Sequence, residues 1–476
     1  MNILMITLFL PLIGSFILFL IPSKFSLLLK QISFIFSFLT LLWSLFLWIE
    51  FHPLILKFQF FKSFTWVYGF NFFFNFGVDG ISLFFIILTT FLFNLCILYN
   101  WTNIQYSLKE YFISLFLIEF FLLLIFMSLD IFLFYFFFES ILIPMFLLIG
   151  LWGSRAKKIK ASYLFFFYTL IGSVPFLIGI MYIYLTYGIT SFPFLFWIDF
   201  TFNEQVALWF MFFFSFASKV PMLPFHIWLP EAHVEAPTTG SIILAGILLK
   251  LGIYGFLRFL IPLFPLANNY LLPFVYTLAI IGIIYPALTA IRQTDLKRII
   301  AYSSISHMNL VILGVFSFSL TGIQGAILQS LSHGFVASGL FFLIGFLYDR
   351  YHTRIVKYYS GLFNQMPLFS FFFLFFILSN IAVPGTSNFT GEFLILLNSF
   401  FINKFITIIG TTGMIFGGMY SLWLTNKILY GNLKTNYLHH FNDLTLSELI
   451  IITILTLLIL IVGIYPKYIL TYLIIL

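Results

Sequence analysis

Phe132-Leu133-Phe134-Tyr135-Phe136-Phe137-Phe138-Glu139-Ser140-Ile141-Leu142-Ile143-Pro144 holds a single charged side chain, Glu139. Widened in both directions the stretch becomes an apolar run over 131–151. That is about the 20 residues a helix needs to cross a bilayer core. A soluble domain buries such a run among charged neighbours, and this chain does not have them. Of its 476 residues 62% are hydrophobic and only 8% charged, against about 25% charged in soluble domains. The chain is therefore integral to a membrane. The long, continuous runs fit helices, not the short alternating segments of a membrane barrel.

Outward from this run, fourteen apolar segments are predicted. They lie near 3–21, 31–49, 80–99, 112–129, 131–151, 161–187, 206–225, 239–261, 270–290, 297–318, 322–347, 367–402, 404–428 and 446–465. The first is long enough to span by itself and lacks the basic leader of a cleavable signal. The fourth and fifth meet at Asp130 with almost no loop. Four regions follow: 1–105, 106–265 and 266–430 with spans one to three, four to eight and nine to thirteen, then 431–476 with the last span.

The net charge of +7 does not point to nucleic acid, because the basic residues are scattered through short loops. Loops after odd-numbered spans hold fifteen Lys and Arg, among them Lys24, Arg155, Lys297, Arg298 and Arg354. The opposite loops hold five: Lys57, Lys62, Arg258, Lys404 and Lys467. By the positive-inside rule both termini face away from the basic compartment. Phe supplies 72 residues, a bias that points to an AT-rich gene and an organelle genome.

Two segments are interrupted alike. Ser218-Lys219-Val220-Pro221-Met222-Leu223-Pro224-Phe225-His226 falls in the seventh, and Ala382-Val383-Pro384-Gly385-Thr386-Ser387-Asn388-Phe389-Thr390-Gly391-Glu392 in the twelfth. Proline removes a backbone donor and clashes with the preceding turn. In lipid this is tolerated where protein or water satisfies the freed groups. Two breaks five spans apart point to inverted repeats around an ion path. Two unrelated proline kinks explain them equally well.

Ionisable residues inside spans are costly, roughly 2.5–3.5 kcal/mol each on insertion scales. Glu119, Glu139, Lys219, Lys250 and Glu392 incur that cost, as do His307 and His333 at lower expense. Asp130 and His226 are placed near an edge. Lys219 is an available partner for Glu139. An ammonium beside a buried carboxylate keeps it ionised, and withdrawing the ammonium lets the carboxylate take a proton. The plain alternative is a static ion pair that fixes packing. Lys250 is a mid-span lysine able to exchange protons; the alternative is a side chain that snorkels to an interface. His307 and His333 suit a proton relay, a satisfied core, or haem ligation, for which two lone histidines are no sufficient set. Glu392 reads as the last carboxylate before the far side or as a helix-start carboxylate. The two His and two Glu of His226–Glu235 match no metal-ligand spacing, and Thr238 or Thr239 is a candidate helix cap. No motif for nucleotide, flavin or an iron–sulfur cluster is present.

The runs Phe134 to Trp152, Lys219 to Gly255 and Asp295 to His307 resemble the antiporter-like membrane-arm subunits of respiratory complex I, the NADH:ubiquinone oxidoreductase. Leu229-Pro230-Glu231-Ala232-His233-Val234-Glu235-Ala236-Pro237 is most similar to the chain 4 branch. The resemblance covers about residues 80 to 430 and extends to subunits of multisubunit cation/proton antiporters. It implies an all-α polytopic membrane protein of about 14 helices with two inverted five-helix repeats, each containing a broken helix. It implies proton translocation in the mitochondrial inner membrane, with both termini on the intermembrane-space side. NADH, FMN, iron–sulfur clusters and ubiquinone would reside on other subunits, with no cofactor or metal in this chain. Chains 2 and 5 would flank it in the bilayer. Residue by residue, Glu139 and Lys219 would form a coupled ion pair and Lys250 the central carrier. His307 and His333 would lie on the hydrophilic axis, and Glu392 would lead to the exit or the next subunit.

Overall fold

The structure, a computed structural model, describes residues 3–55, 57–67, 72–104, 106–434 and 441–473. Twelve of its helices are long and apolar enough to cross a membrane, from Ile3–Leu20 to Leu446–Ile464. The two remaining expected segments are the interrupted ones. The seventh is the helix Phe202–Lys219, which stops at Lys219 and not at 225. The twelfth is split into Pro367–Asn380 and Ser387–Ile402.

Helix boundaries follow from side chains that satisfy the first backbone N–H groups, which have no partner inside a helix. Asp79 and Ser82 form a reciprocal cap at the start of Gly80–Asn103. Asp130 caps Ile131–Ser140 through the N–H groups of Phe132 and Leu133, at 2.9 and 3.3 Å. Asn403 alone separates Ser387–Ile402 from Lys404–Leu429 and caps the second through Phe405 and Ile406. Thr238 and Thr239 begin a helix but do not cap it: Pro237 holds the cap position without a side-chain bond.

One local element departs from helix. Gln59–Val67 and Phe72–Val78 pair as antiparallel strands with Ser63 opposite Asn75 and Phe64 opposite Phe74. The many aromatic residues of this connection suit a pleated ribbon.

The chain divides into two compact units interleaved in sequence. The first comprises Met1–Lys219, Lys250–Leu272 and Thr471–Leu476, the second Val220–Leu249 and Pro273–Leu470. In the first, Lys158–Tyr187 packs on Phe202–Lys219 where Gly172 meets Ser218 and Gly179 meets Phe212. Its core is aromatic: Phe134 contacts Phe259 edge-on at 4.8 Å, and Phe176 contacts Phe212 at 4.6 Å. Such pairs add about 0.5–1.5 kcal/mol beyond the area they bury. In the second unit, Leu320–Tyr351 is the central helix, packed on Leu296–Val315, Pro367–Asn380, Ser387–Ile402 and Leu446–Ile464. Gly391 allows the closest of these approaches, since a Cβ there would stand 2.7 Å from the Gln329 backbone.

Candidate functional site

In the first unit, Glu139 lies one residue before the end of Ile131–Ser140. The break has a local cause. Pro144 would clash with the carbonyl of Ser140, four residues back, so the helix stops and restarts at Leu142. The Glu139 oxygen Oε1 is buried without a hydrogen-bond partner. Ser173 and Lys219 are the polar groups that act on it. Lys219, 3% exposed, is the last residue of its helix. Its Nζ sits 4.4 Å over the ring of Phe138. The expected direct ion pair is therefore replaced by a cation on an aromatic face beside the carboxylate. The reason is angular: successive helix residues point about 100° apart. A lysine stacked on Phe138 is held off Glu139 while remaining in its field.

Lys250 is fully buried, which leaves no exposed interface for snorkelling. Two π-helical turns, Leu244–Leu248 and Phe256–Leu260, bracket it. Such turns mark functional positions in many helices. The second is anchored by groups the sequence reading left in loops. Arg258 forms a 2.6 Å salt bridge with Asp79 and bonds the Tyr254 hydroxyl at 3.2 Å. Tyr254 in turn donates to the Phe126 carbonyl at 3.1 Å. Glu119 is fully buried and accepts from Thr40 at 3.0 Å. Asp130 stands at the junction of two spans and accepts from Thr190 at 2.6 Å.

The second unit holds a contiguous cluster. His307 Nδ1 and Glu392 Oε1 are 2.9 Å apart, and Gln329 Nε2 donates to the same oxygen at 2.9 Å. The rings of His307 and His333 lie 5.8 Å apart. Glu392 is the sixth residue of Ser387–Ile402, so it stands beyond the first turn. Side chains, not free helix N–H groups, hold it. The break before it is made by Ala382 and Gly385, both with positive φ (65° and 94°). Glycine reaches that conformation without strain. A pocket of about 340 Å³ adjoins His307 and Glu392.

Lys297 and Arg354, counted above as loop charges, are buried at 0% and 1% exposure. Lys297 Nζ donates to the Ala236 carbonyl at 2.9 Å and Ser241 Oγ at 3.0 Å, and Arg354 donates to the Val234 carbonyl. They satisfy carbonyls at the end of Trp228–Glu235, where a cation is favoured by the helix dipole. His226, expected near an edge, is buried at 8% exposure against the ring of Tyr285 at 6.0 Å. Among the described residues no three His, Cys, Asp or Glu side chains gather as metal ligands.

Sequence reasoning singled out Glu139, Lys219, Lys250, His307, His333 and Glu392; it did not name Gln329, which the structure brings to Glu392. A signal existed. Gln329 is four residues before His333, hence on the same face of one helix.

Residues 128–417 match the family described as NADH:quinone oxidoreductase/Mrp antiporter, TM. The chain is 54% identical to "NADH-ubiquinone oxidoreductase chain 4" of Chondrus crispus, over 98% of this chain and 95% of that one. It is 53% identical to the protein of the same name from Marchantia polymorpha, over 96% and 92%. Its fold is similar to a chain of respiratory complex I from Thermus thermophilus with bound NADH. There the TM-score is 0.89 at 27% identity, over 99% of this chain and 98% of the other. A chain of the archaeal membrane-bound sulfane sulfur reductase has the same fold, with a TM-score of 0.89 at 20% identity over 99% and 96%. All six candidate residues lie within the matched span, and the chain belongs to the NADH:quinone oxidoreductase/Mrp antiporter transmembrane family, in its NADH-ubiquinone oxidoreductase chain 4 branch.

Proposed function

We propose that this chain is a proton-translocating membrane-arm subunit of a respiratory NADH:ubiquinone oxidoreductase. The proton-carrying residues are Glu139, Lys219, Lys250, His307, His333 and Glu392. The observation that carries this reading is the placement of buried ionisable groups at helix breaks in both units. Unsupported backbone and buried charge are each expensive in a membrane, and their coincidence is economical only where protons or ions must be held.

In the first unit Lys219 rests on Phe138 beside Glu139. A small displacement of the lysine toward Glu139 favours the carboxylate and releases its proton; withdrawal favours uptake. In the second unit His307, whose two ring nitrogens can accept and donate in turn, passes a proton to or from Glu392 across their 2.9 Å contact. Electron transfer from NADH to ubiquinone takes place on other subunits and supplies the driving force. This chain performs no redox chemistry.

The two broken segments and the twelve continuous spans support fourteen crossings. They are arranged as two inverted five-helix repeats over 106–265 and 266–430. The charge bias of the loops supports a mitochondrial inner-membrane location with both termini on the intermembrane-space side. The flanking partners are the antiporter-like chains 2 and 5.

The test begins with mild solubilisation of native membranes, native-gel separation and an in-gel NADH dehydrogenase stain, with the chain located by mass spectrometry. Co-migration with an NADH-oxidising particle of many subunits is expected. Migration in a small assembly without redox activity, followed by sodium-coupled transport in vesicles, would replace the reading with a cation/proton antiporter. Glu139→Gln in the assembled particle then separates a pump from a spacer. A pump loses turnover and proton transport while still assembling; a spacer loses neither.

A further inference from the structure

The pocket beside Glu392 contains a group that neither the sequence reading nor the proton path above uses. Tyr420 lies in Lys404–Leu429, 2% exposed. Ser303, Ser306 and Asn380 are the polar side chains that act on its hydroxyl. Ser303 Oγ donates to the Ile300 carbonyl at 2.8 Å and Ser306 Oγ to the Ser303 carbonyl at 2.7 Å. With their protons so committed, the two serines meet the phenol as acceptors. The phenol therefore directs its own proton to a serine and accepts from the Asn380 amide.

Tyr420, Ser306 and Asn380 line this pocket together with His307 and Glu392. Gly417, one turn before Tyr420, keeps the space open, since a Cβ there would stand 4.0 Å from the Tyr420 hydroxyl. Glu392 receives both its hydrogen bonds on Oε1. His307 Nε2 has no hydrogen-bond partner. A bound water needs two to four polar partners, and Ser306, His307, Asn380 and Glu392 in the lining offer them.

We propose that Tyr420 is a positioning residue for proton transfer at Glu392. Its phenol fixes the Ser303–Ser306–Asn380 wall so that pocket water is held against Glu392 Oε2 and His307 Nε2. The proton then moves between the carboxylate or imidazole and that water, and Tyr420 keeps its own proton throughout. This rests on the reading of Glu392 and His307 as proton carriers.

The test is Tyr420→Phe in the assembled complex, which removes one oxygen and keeps the ring. NADH oxidation with an artificial electron acceptor is expected to be unchanged, because it does not require the membrane arm. Ubiquinone-coupled turnover is expected to fall about tenfold, less than the roughly 10²–10⁴ that positioned proton transfer contributes, because the carriers themselves remain. The fall should appear in kcat with the KM for ubiquinone unmoved, and the solvent deuterium isotope effect on turnover should rise. A merely structural tyrosine moves neither the split nor the isotope effect. Wild-type turnover and isotope effect in Tyr420→Phe, alongside an impaired Glu392→Gln, overturn the proposal alone. Wild-type behaviour in both variants overturns the proton-carrier reading beneath it. If Tyr420→Phe does not assemble, Gly417→Leu fills the pocket from the same helix, with Gly418→Ala as the control in open space. Slowed turnover with a raised isotope effect in the first and none in the second supports the proposal; unchanged turnover in Gly417→Leu rejects it.

Discussion

Glu139 and Glu392 are two membrane carboxylates, each within a few residues of a proline-associated break, and they are supported in opposite ways. Glu139 precedes its break and has its cation near but not in contact, parked on the Phe138 ring. Glu392 follows its break and has two donors on one oxygen at 2.9 Å. The first arrangement makes proton affinity depend on where a mobile charge stands. The second makes it depend on the state of a fixed neighbour, His307. On the proposed reading, one unit of the chain works as a charge switch and the other as a relay.

The largest effect tests the switch. Glu139→Gln and Lys219→Ala should each reduce coupled turnover about a hundredfold, the lower range for loss of a positioned proton group. Groups that act as a unit are not additive, so the double variant should be no slower than either single one. Independent, multiplying losses would show that the lysine on Phe138 does not serve Glu139. Lys250→Ala should match them; turnover left intact by both lysine variants would remove the switch altogether. Next comes the relay. Glu392→Gln retains an amide able to meet Gln329 and His307 but takes up no proton, and turnover should fall up to about a hundredfold.

Stability changes are smaller in consequence and sharpen where each site is anchored. Asp79→Ala leaves Arg258 buried without its carboxylate. Breaking a buried pair from one side costs about 3–5 kcal/mol, seen as a lower Tm of the assembled complex. Gly391→Ala pushes a methyl to 2.7 Å from the Gln329 backbone and should cost about 1–3 kcal/mol as overpacking. If it slows turnover beyond what the lower Tm explains, Gln329 holds Glu392 in place. The smallest is a control outside both sites. Asp443 accepts from the Leu368 and Phe369 N–H groups at 2.9 and 3.0 Å. Asp443→Ala should cost about 1 kcal/mol with turnover unchanged.

The spans were legible because hydropathy and length act along the chain; the caps at Asp79, Asp130 and Asn403 were not singled out, and the one cap expected, Thr238 or Thr239, is absent because Pro237 holds that position. Glu139, Lys219, Lys250, His307, His333 and Glu392 were legible because a polar residue in a lipid-compatible run carries its own contradiction. What stayed hidden needed distance across the sequence. Lys297 looked like a loop charge because its acceptors, the Ala236 carbonyl and the Ser241 hydroxyl, lie 61 and 56 positions away. Arg258 looked like one because Asp79 is farther still. Gln329 and Tyr420 are neutral, so composition gave them no weight, and only packing brings them to a carboxylate. The missing contact between Glu139 and Lys219 is a matter of one residue of helical phase, finer than any spacing rule resolves.

The π-helical turns on either side of Lys250 have a consequence for comparing relatives and for engineering. Each such turn accommodates one residue more than an α-helix of the same length would hold. Closing the Leu244–Leu248 turn into a regular helix with no residue removed would swing Lys250 about 100° around the axis relative to everything before it. Deleting one residue there would straighten the turn and leave Lys250 aimed as it is. Aligned relatives that lack the extra residue should show a one-position gap here, with the lysine kept at its aligned position.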